Sequence, residues 1–157
     1  MGSRLRRWEL IPEDTPIVAT INDPRIVHGQ YGRQVQAQIR VIQGEHKGAE
    51  FREWFSFAAD KDDGQEFVSY GSPLYNALAM VEPSLDEVLD DDNLTEKQYQ
   101  KFIKQAVNKL DDVTIMARVG IKAAKNNPEK KRNILQQGSF GHYLDPEEGF
   151  EDLDMSP

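Results

Sequence analysis

The clearest pattern of hydrophobic and polar positions lies between residues 34 and 57. Apolar side chains occupy every second position from Val35 to Val41, and three glutamines and an arginine occupy the positions that alternate with them. This period of two is expected of a β-strand with one buried face and one solvent-exposed face. After a glycine-containing turn at residues 43–48, the alternation resumes in residues 51–57. The pattern therefore predicts a β-hairpin with two unlike faces.

The second strand of this hairpin places a large aromatic residue among polar ones. If Phe55 and Phe57 face the core, Trp54 stands on the outer face beside Arg52. A β-bulge near Glu53 is the alternative, because one extra residue would turn the tryptophan into the core. Tryptophan is mostly buried on average, so the sequence leaves both placements open.

Three further β-strands are predicted around a helical region. The first covers residues 16–27, with a bend or bulge at Asp23-Pro24. The other two cover residues 113–121, where apolar side chains again alternate with polar ones, and about residues 133–137. Residues 58–70 contain three aspartates and a glycine and are predicted to form a polar loop. The chain thus has three predicted strands before the helical region and two after it.

The helical region contains one strong signal and two weaker ones. Thr95 and Gln98 form the capping box of a helix that keeps one apolar stripe as far as Leu110. Ser72 and Ser84 stand at the N-cap positions of two shorter predicted helices.

Five short strands with a helix between the third and the fourth are the arrangement of the OB-fold, a partly open barrel. We therefore predict a mainly β fold with inserted helices, in which an OB-fold domain covers residues 16–144. Residues 58–112 are its helical insertion. Residues 1–15 are predicted to be a flexible basic arm, and residues 145–157 a disordered acidic tail.

Composition limits the classes of function. A chain of 157 residues has room for one domain with an ordinary core. It has no cysteine, which excludes disulfides, a thiol nucleophile and a cysteine-ligated zinc site. No apolar segment is long enough for a signal peptide or a membrane span, so we expect a cytoplasmic protein.

The negative charge of the chain is concentrated in two segments. The formal net charge is −8, and six carboxylates without a base lie in residues 145–157. Six more, again without a base, lie between Glu82 and Asp92. The remainder of the chain is therefore basic, which permits a nucleic-acid partner despite the acidic total.

The basic and aromatic residues concentrate where an OB-fold binds oligonucleotides. That site lies across strands two and three, between the loops that join strands one to two and four to five. Single strands are held by such residues, since bases stack on aromatic rings while Lys and Arg contact phosphates. The other interpretation is that the polar strand face and the predicted lysine-rich loop at residues 122–132 serve only solubility. The predicted nucleic-acid-binding residues are Tyr31, Arg33, Gln36, Gln38, Arg40, Arg52, Trp54, Arg118, Lys122, Lys125, Lys130, Lys131 and Arg132.

Short stretches of the chain resemble a known family. Residues 44–48 (GEHKG) followed by 51–55 (FREWF), and residues 117–122 (ARVGIK) before a proline-bearing segment, are similar to phage-encoded OB-fold proteins of the single-stranded-DNA-binding type. The resemblance covers about residues 16–143. It implies a protein that coats exposed single strands during phage DNA replication or recombination, in the host cytoplasm.

The resemblance also implies a role for the acidic tail. Such tails recruit replication enzymes and compete with DNA for the basic groove. A homo-oligomer stays open, because the sequence does not set the oligomeric state. In this chain Phe150 and Leu153 are set among the acidic residues instead of at the end. The predicted partner-binding residues are Glu147, Glu148, Phe150, Glu151, Asp152, Leu153 and Asp154.

Catalytic motifs are not found in the sequence. The three histidines share no metal-ligand spacing, and there is neither a phosphate-binding glycine loop nor a nucleophile-elbow serine. The aspartates of residues 60–63 do not have the ligand spacing of a calcium loop. We therefore expect no enzyme activity, metal or cofactor. The alternative function is a protein-interaction module, or an acidic decoy that imitates DNA, which the two acidic segments favour.

Overall fold

A computed structural model describes residues 10–29, 32–124, 127–136 and 140–142. These residues form a mainly β fold with helices on the connection between the first three long strands and the last two. The strands of the main sheet are β1 (Pro16–Gly29), β2 (Gly32–Val41), β3 (Glu50–Ser56), β6 (Val113–Ala124), β7 (Asn127–Leu135) and β8 (Gly141–His142). Between them lie the short strands β4 (Ala58–Ala59) and β5 (Glu66–Phe67) and the helices α1 (Pro73–Val81), α2 (Leu85–Leu89) and α3 (Glu96–Lys109).

The main sheet is antiparallel, with the order β3-β2-β1-β6-β7, and β8 pairs with β6 outside this path. β1 joins the two halves of the sheet, because its first residues pair with β6 and its later residues pair with β2. In the described part of the chain no ladder joins β3 to β7, so main-chain hydrogen bonds leave the sheet open. β4 and β5 form a separate two-stranded sheet.

One hydrophobic cluster joins the inward side chains of the sheet to those of the helices. The alternation predicted for residues 34–41 is confirmed, since Val35, Ala37, Ile39 and Val41 are all buried. Each fully buried large apolar side chain contributes about 1.5–3 kcal/mol relative to exposure. The largest fully buried side chains of the cluster are Phe55, Ile21, Ile39, Leu74, Leu78, Leu85, Ile103, Leu110 and Ile115.

The helix signals are largely confirmed. The Thr95 hydroxyl accepts a hydrogen bond from Gln98 N at 3.1 Å, and Gln98 Oε1 accepts one from Thr95 N at 2.9 Å, which completes the capping box of α3. Ser72 caps α1 in the predicted way. Ser84 precedes α2 but makes no capping bond, because its hydroxyl donates to Glu82 instead.

Two predicted loops contain strands. Residues 122–132 were expected to be a loop, and this prediction is wrong: β6 continues to Ala124 and β7 begins at Asn127. Most side chains of this extension are exposed on both faces, so no apolar alternation marks it in the sequence. The main-chain ladder forms there nonetheless. The predicted polar loop at residues 58–70 likewise contains the β4–β5 pair.

The predicted irregularity in the first strand is confirmed. The register of β1 against β2 shifts between Asn22 and Arg25, and Asp23 has a φ of 53°. A β-bulge of this kind bends the strand beyond Asn22, where the pairing with β6 has ended and the pairing with β2 continues.

The segment before β1 is attached to the sheet. Ile11 is buried, its N–H donates to Asn133 Oδ1 at 2.9 Å, and its carbonyl accepts from Asn133 Nδ2 at 2.9 Å. Asp14 N donates to Val119 O at 2.8 Å. Residues 1–9 and 143–157 lie outside the described residues, so the division into arm, domain and tail stays a prediction. No described helix has the length and apolar character that crossing a membrane requires.

Candidate nucleic-acid interface

Trp54 lies on the outer face of β3. The register between β2 and β3 runs without a shift from Gln34 and Ser56 to Arg40 and Glu50, so no bulge interrupts the strand. The side chains of the alternating positions before and after Trp54 are buried, whereas Trp54 itself is half-buried. The tertiary structure therefore decides the question that the sequence left open.

Two side chains hold the indole of Trp54. Gln36 lies directly opposite on β2, and its Oε1 accepts a hydrogen bond from Trp54 Nε1 at 3.3 Å. The guanidinium carbon of Arg132, on β7, lies 4.8 Å from the ring centroid. This is a cation–π arrangement, which stabilises the pair and brings the β6–β7 hairpin against the outer face of β3.

Glu53 bridges the gap between the edge strands β3 and β7. Its Oε2 accepts a hydrogen bond from Leu135 N at 2.7 Å, and its Oε1 accepts one from Trp54 N at 3.0 Å. The carboxylate thus supplies an acceptor that a ladder partner would otherwise supply to a buried main-chain N–H. Sequence reasoning did not identify this role. The sequence did contain a signal for this role, because Glu53 is a carboxylate at an inward position that alternates with Phe51 and Phe55.

Opposing effects act on the pKa of the Glu53 carboxyl group. Burial raises the pKa of its carboxyl above the ordinary value, because a low-dielectric environment disfavours the ionised form. The hydrogen bonds from Leu135 and Trp54 lower it again, as do the positive charges of Arg132 and Lys122. The cations of the candidate interface therefore also influence the buried carboxylate that bridges the sheet edges.

Other predicted residues of β2 and β3 share the outer face with Trp54. Gln38 lies opposite Arg52, and Arg40 lies opposite Glu50. Arg40 Nε is 3.8 Å from Glu50 Oε1, an exposed pair of the kind that contributes little. Arg52 is exposed and forms no ion pair with any residue that the structure describes.

The cations of the β6–β7 hairpin are divided between its two sides. Lys122 pairs in register with Arg132 and so lies on the same side as Arg132. Lys131 alternates with Arg132 and faces the opposite side. Lys130 is exposed and lies in the irregular part of the ladder, and Lys125 lies outside the described residues.

Arg33 makes internal contacts at the start of β2. Its Nη2 donates to Gln100 Oε1 at 2.9 Å, and its guanidinium lies 4.7 Å from the centroid of the Phe57 ring. This cation therefore links the sheet to α3. Tyr31, another predicted nucleic-acid-binding residue, lies outside the described residues.

Arg118 lies on the same side of β6 as Lys122 but four residues away, about 13 Å along the strand. Its Nη1 donates to Asp14 O at 2.9 Å. It is therefore anchored at the segment that precedes β1. The predicted partner-binding residues of the tail lie outside the described residues.

The structure therefore places only some of the predicted nucleic-acid-binding residues together. The structure brings together one anchored indole, two amides and several cations on the outer sheet face. We call this the outer-face cluster, and its residues are Gln36, Gln38, Arg40, Arg52, Trp54, Lys122 and Arg132.

No known family model matches this chain, and a search of curated proteins finds no match either. Within the described ranges, no group of three or more histidine, aspartate or glutamate side chains could hold a metal ion. The chemistry of the outer-face cluster is therefore the basis for inferring function.

Proposed function

We propose that the protein binds single-stranded DNA without catalysing a reaction. The observation that carries the proposal is the Trp54 indole on the outer sheet face, which donates to Gln36 and has the guanidinium carbon of Arg132 4.8 Å from its ring centroid. Bases stack on aromatic rings and on arginine planes, so both side chains are of a kind that contacts unpaired bases. Arg52 lies two residues from Trp54 on the same face of β3, and Lys122 pairs in register with Arg132, so we assign phosphate contacts to these two cations.

The fold that fits this function is the OB-fold. That fold is a five-stranded, partly open barrel whose second and third strands carry the ligand. The strand order β3-β2-β1-β6-β7 supports this description, as does the bridge that Glu53 makes between the two edge strands. On this basis β2 and β3 form the binding face, and the β6–β7 hairpin flanks it.

The proposed biological role is the coating of exposed single strands during phage-type DNA replication or recombination, in the host cytoplasm. In this role the acidic segment at residues 145–157 recruits partner proteins or competes with DNA for the cations. We propose neither a cofactor nor an enzyme activity for the protein.

Titration of a fluorescently labelled thirty-nucleotide oligo-dT tests the proposal. We expect salt-sensitive binding of the single strand and weaker binding of duplex DNA. Trp54→Ala should weaken single-strand binding roughly tenfold or more, since one stacked base contributes about 1–3 kcal/mol. Trp54→Phe should retain most of the affinity, because it keeps an aromatic face.

A matched pair of lysine variants separates phosphate contact from overall charge. Lys122→Gln and Lys101→Gln remove the same charge, but Lys101 is an exposed residue of α3, outside the outer-face cluster. Only Lys122→Gln should reduce the slope of log affinity against log salt, by about 0.7 for one lost contact. If the wild-type protein binds no single strand at low salt, the proposal is wrong. The acidic segments would then favour the alternative, an interaction module for a basic protein.

A further inference from the structure

A concave surface, separate from the outer-face cluster, lies between the β4–β5 pair and the segment from α2 to the start of α3. It is a groove of about 770 Å³. Its apolar lining includes Phe67 and Tyr70, which are 40% and 54% exposed. Leu94 and Tyr99 add further apolar surface to the lining. Large apolar side chains left this exposed mark a surface suited to an apolar partner.

The lining of the groove is strongly acidic. No lysine or arginine belongs to the lining, and none of its carboxylates forms an ion pair with a residue that the structure describes. Beside the groove, Asp90 accepts a hydrogen bond from the Tyr70 hydroxyl, which raises the pKa of that phenol to about 12. Unpaired like charges around a concave surface favour a cationic occupant. The lining carboxylates are Asp60, Glu66, Asp91, Asp92 and Glu96.

We propose that this acidic groove binds the basic segment at residues 1–9 of the chain, MGSRLRRWE. The segment contains three arginines together with Leu5 and Trp8. Arginine matches carboxylates with two parallel hydrogen bonds, and a tryptophan supplies a large apolar face for exposed aromatic rings. Residues 145–157 carry the opposite charge and do not fit the same groove.

The attachment of Ile11 limits how far the segment can reach. The main chain of Ile11 is hydrogen-bonded to the side chain of Asn133, and residues 1–9 precede Ile11 in the chain. Nine residues span at most about 30 Å when fully extended. The proposed occupant is the segment of the same copy, so the protection of Trp8 should not change on dilution.

The fluorescence of Trp8 tests the contact without DNA. The chain has two tryptophans, so Trp8 is the only one in a Trp54→Phe variant. Acrylamide quenching of Trp8 in this variant should be several-fold weaker than in a free peptide of residues 1–12. Asp91→Asn with Asp92→Asn should raise the quenching toward that of the peptide, and added salt should do the same.

A charge-matched control identifies the groove as the site. Asp62→Asn with Glu87→Gln removes the same number of charges from exposed carboxylates that do not line the groove. We expect this control to leave the protection of Trp8 unchanged. Quenching of Trp8 equal to that of the peptide overturns the proposal, and so does protection that persists in the Asp91/Asp92 variant. Because the measurement uses no oligonucleotide, its failure is distinct from a failure of the proposed DNA binding.

Discussion

Glu53 is the residue at which the fold and the candidate interface meet. Its side chain is 8% exposed and accepts the N–H of Leu135, while Arg132 of the same strand lies over Trp54. A buried N–H without an acceptor costs about 1–3 kcal/mol, which the carboxylate avoids. Burial of an ionised carboxylate opposes that gain. We infer that Glu53 positions β7, and with it Arg132, against the outer face.

The first prediction concerns the pH dependence of stability through Glu53. Its pKa in the folded state is raised above the ordinary value of 4.5, so the folded state binds the proton more tightly than the unfolded state. Its contribution to the free energy of unfolding therefore falls as pH rises from 4.5 through the raised pKa, and increases on acidification. The Glu53→Gln variant has no ionisable group at this position and therefore lacks this pH-dependent contribution.

Urea unfolding between roughly pH 5 and pH 7 measures the effect. The difference in unfolding free energy between wild type and Glu53→Gln should move in favour of the wild type as pH falls. Glu45→Gln, which changes an exposed glutamate of the β2–β3 turn, is the control and should show a much smaller change. A wild-type advantage that is constant, or that shrinks on acidification, contradicts the assignment.

At the scale of elements, the clearest signals in the sequence are those that depend on near neighbours. The capping box of Thr95 and the apolar stripe behind it predicted α3 almost to the residue. The extension of β6 and β7 from Lys122 to Arg132 was missed, because a two-stranded ladder exposed on both faces has no apolar alternation. Three of the cations that suggested a loop there, Lys122, Lys131 and Arg132, belong to paired positions of the ladder.

The second prediction compares two N-cap positions. Thr95→Ala should lower the free energy of unfolding by about 1 kcal/mol, because it removes a capping bond to α3. Ser84→Ala should cost less, since Ser84 makes no capping bond to α2. Chemical denaturation of both variants measures the difference. Equal losses would show that the capping bond of Thr95 does not contribute as the geometry suggests.

At the scale of the whole molecule, the outer-face cluster and the acidic groove carry opposite charges. Arg52, Lys122 and Arg132 belong to the outer-face cluster, whereas the acidic groove lies between the β4–β5 pair and the helices. Attraction between exposed charges extends over about a Debye length, roughly 10 Å at 0.1 M salt. The further carboxylates of residues 145–157 can therefore compete with phosphates only if they approach the outer-face cluster.

The third prediction tests that competition. A chain ending at Leu144 lacks six carboxylates and should bind oligo-dT several-fold more tightly at low salt. The advantage should vanish at high salt, where screening removes the competition. The oligonucleotide titration described above measures both. Unchanged or weaker binding by the shortened chain would exclude the tail as a competitor for DNA.

The main strands and helices of this protein can be predicted from its sequence. Strand alternation and helix caps depend on residues within four positions of one another, so they can be identified without the fold. The outward position of Trp54 beside Arg132, and the hydrogen bond from Leu135 to Glu53, 82 residues earlier in the chain, could be seen only in the folded structure. Those contacts require β3 and β7 to meet across the open edge of the sheet, and their approach depends on the packing of the whole chain.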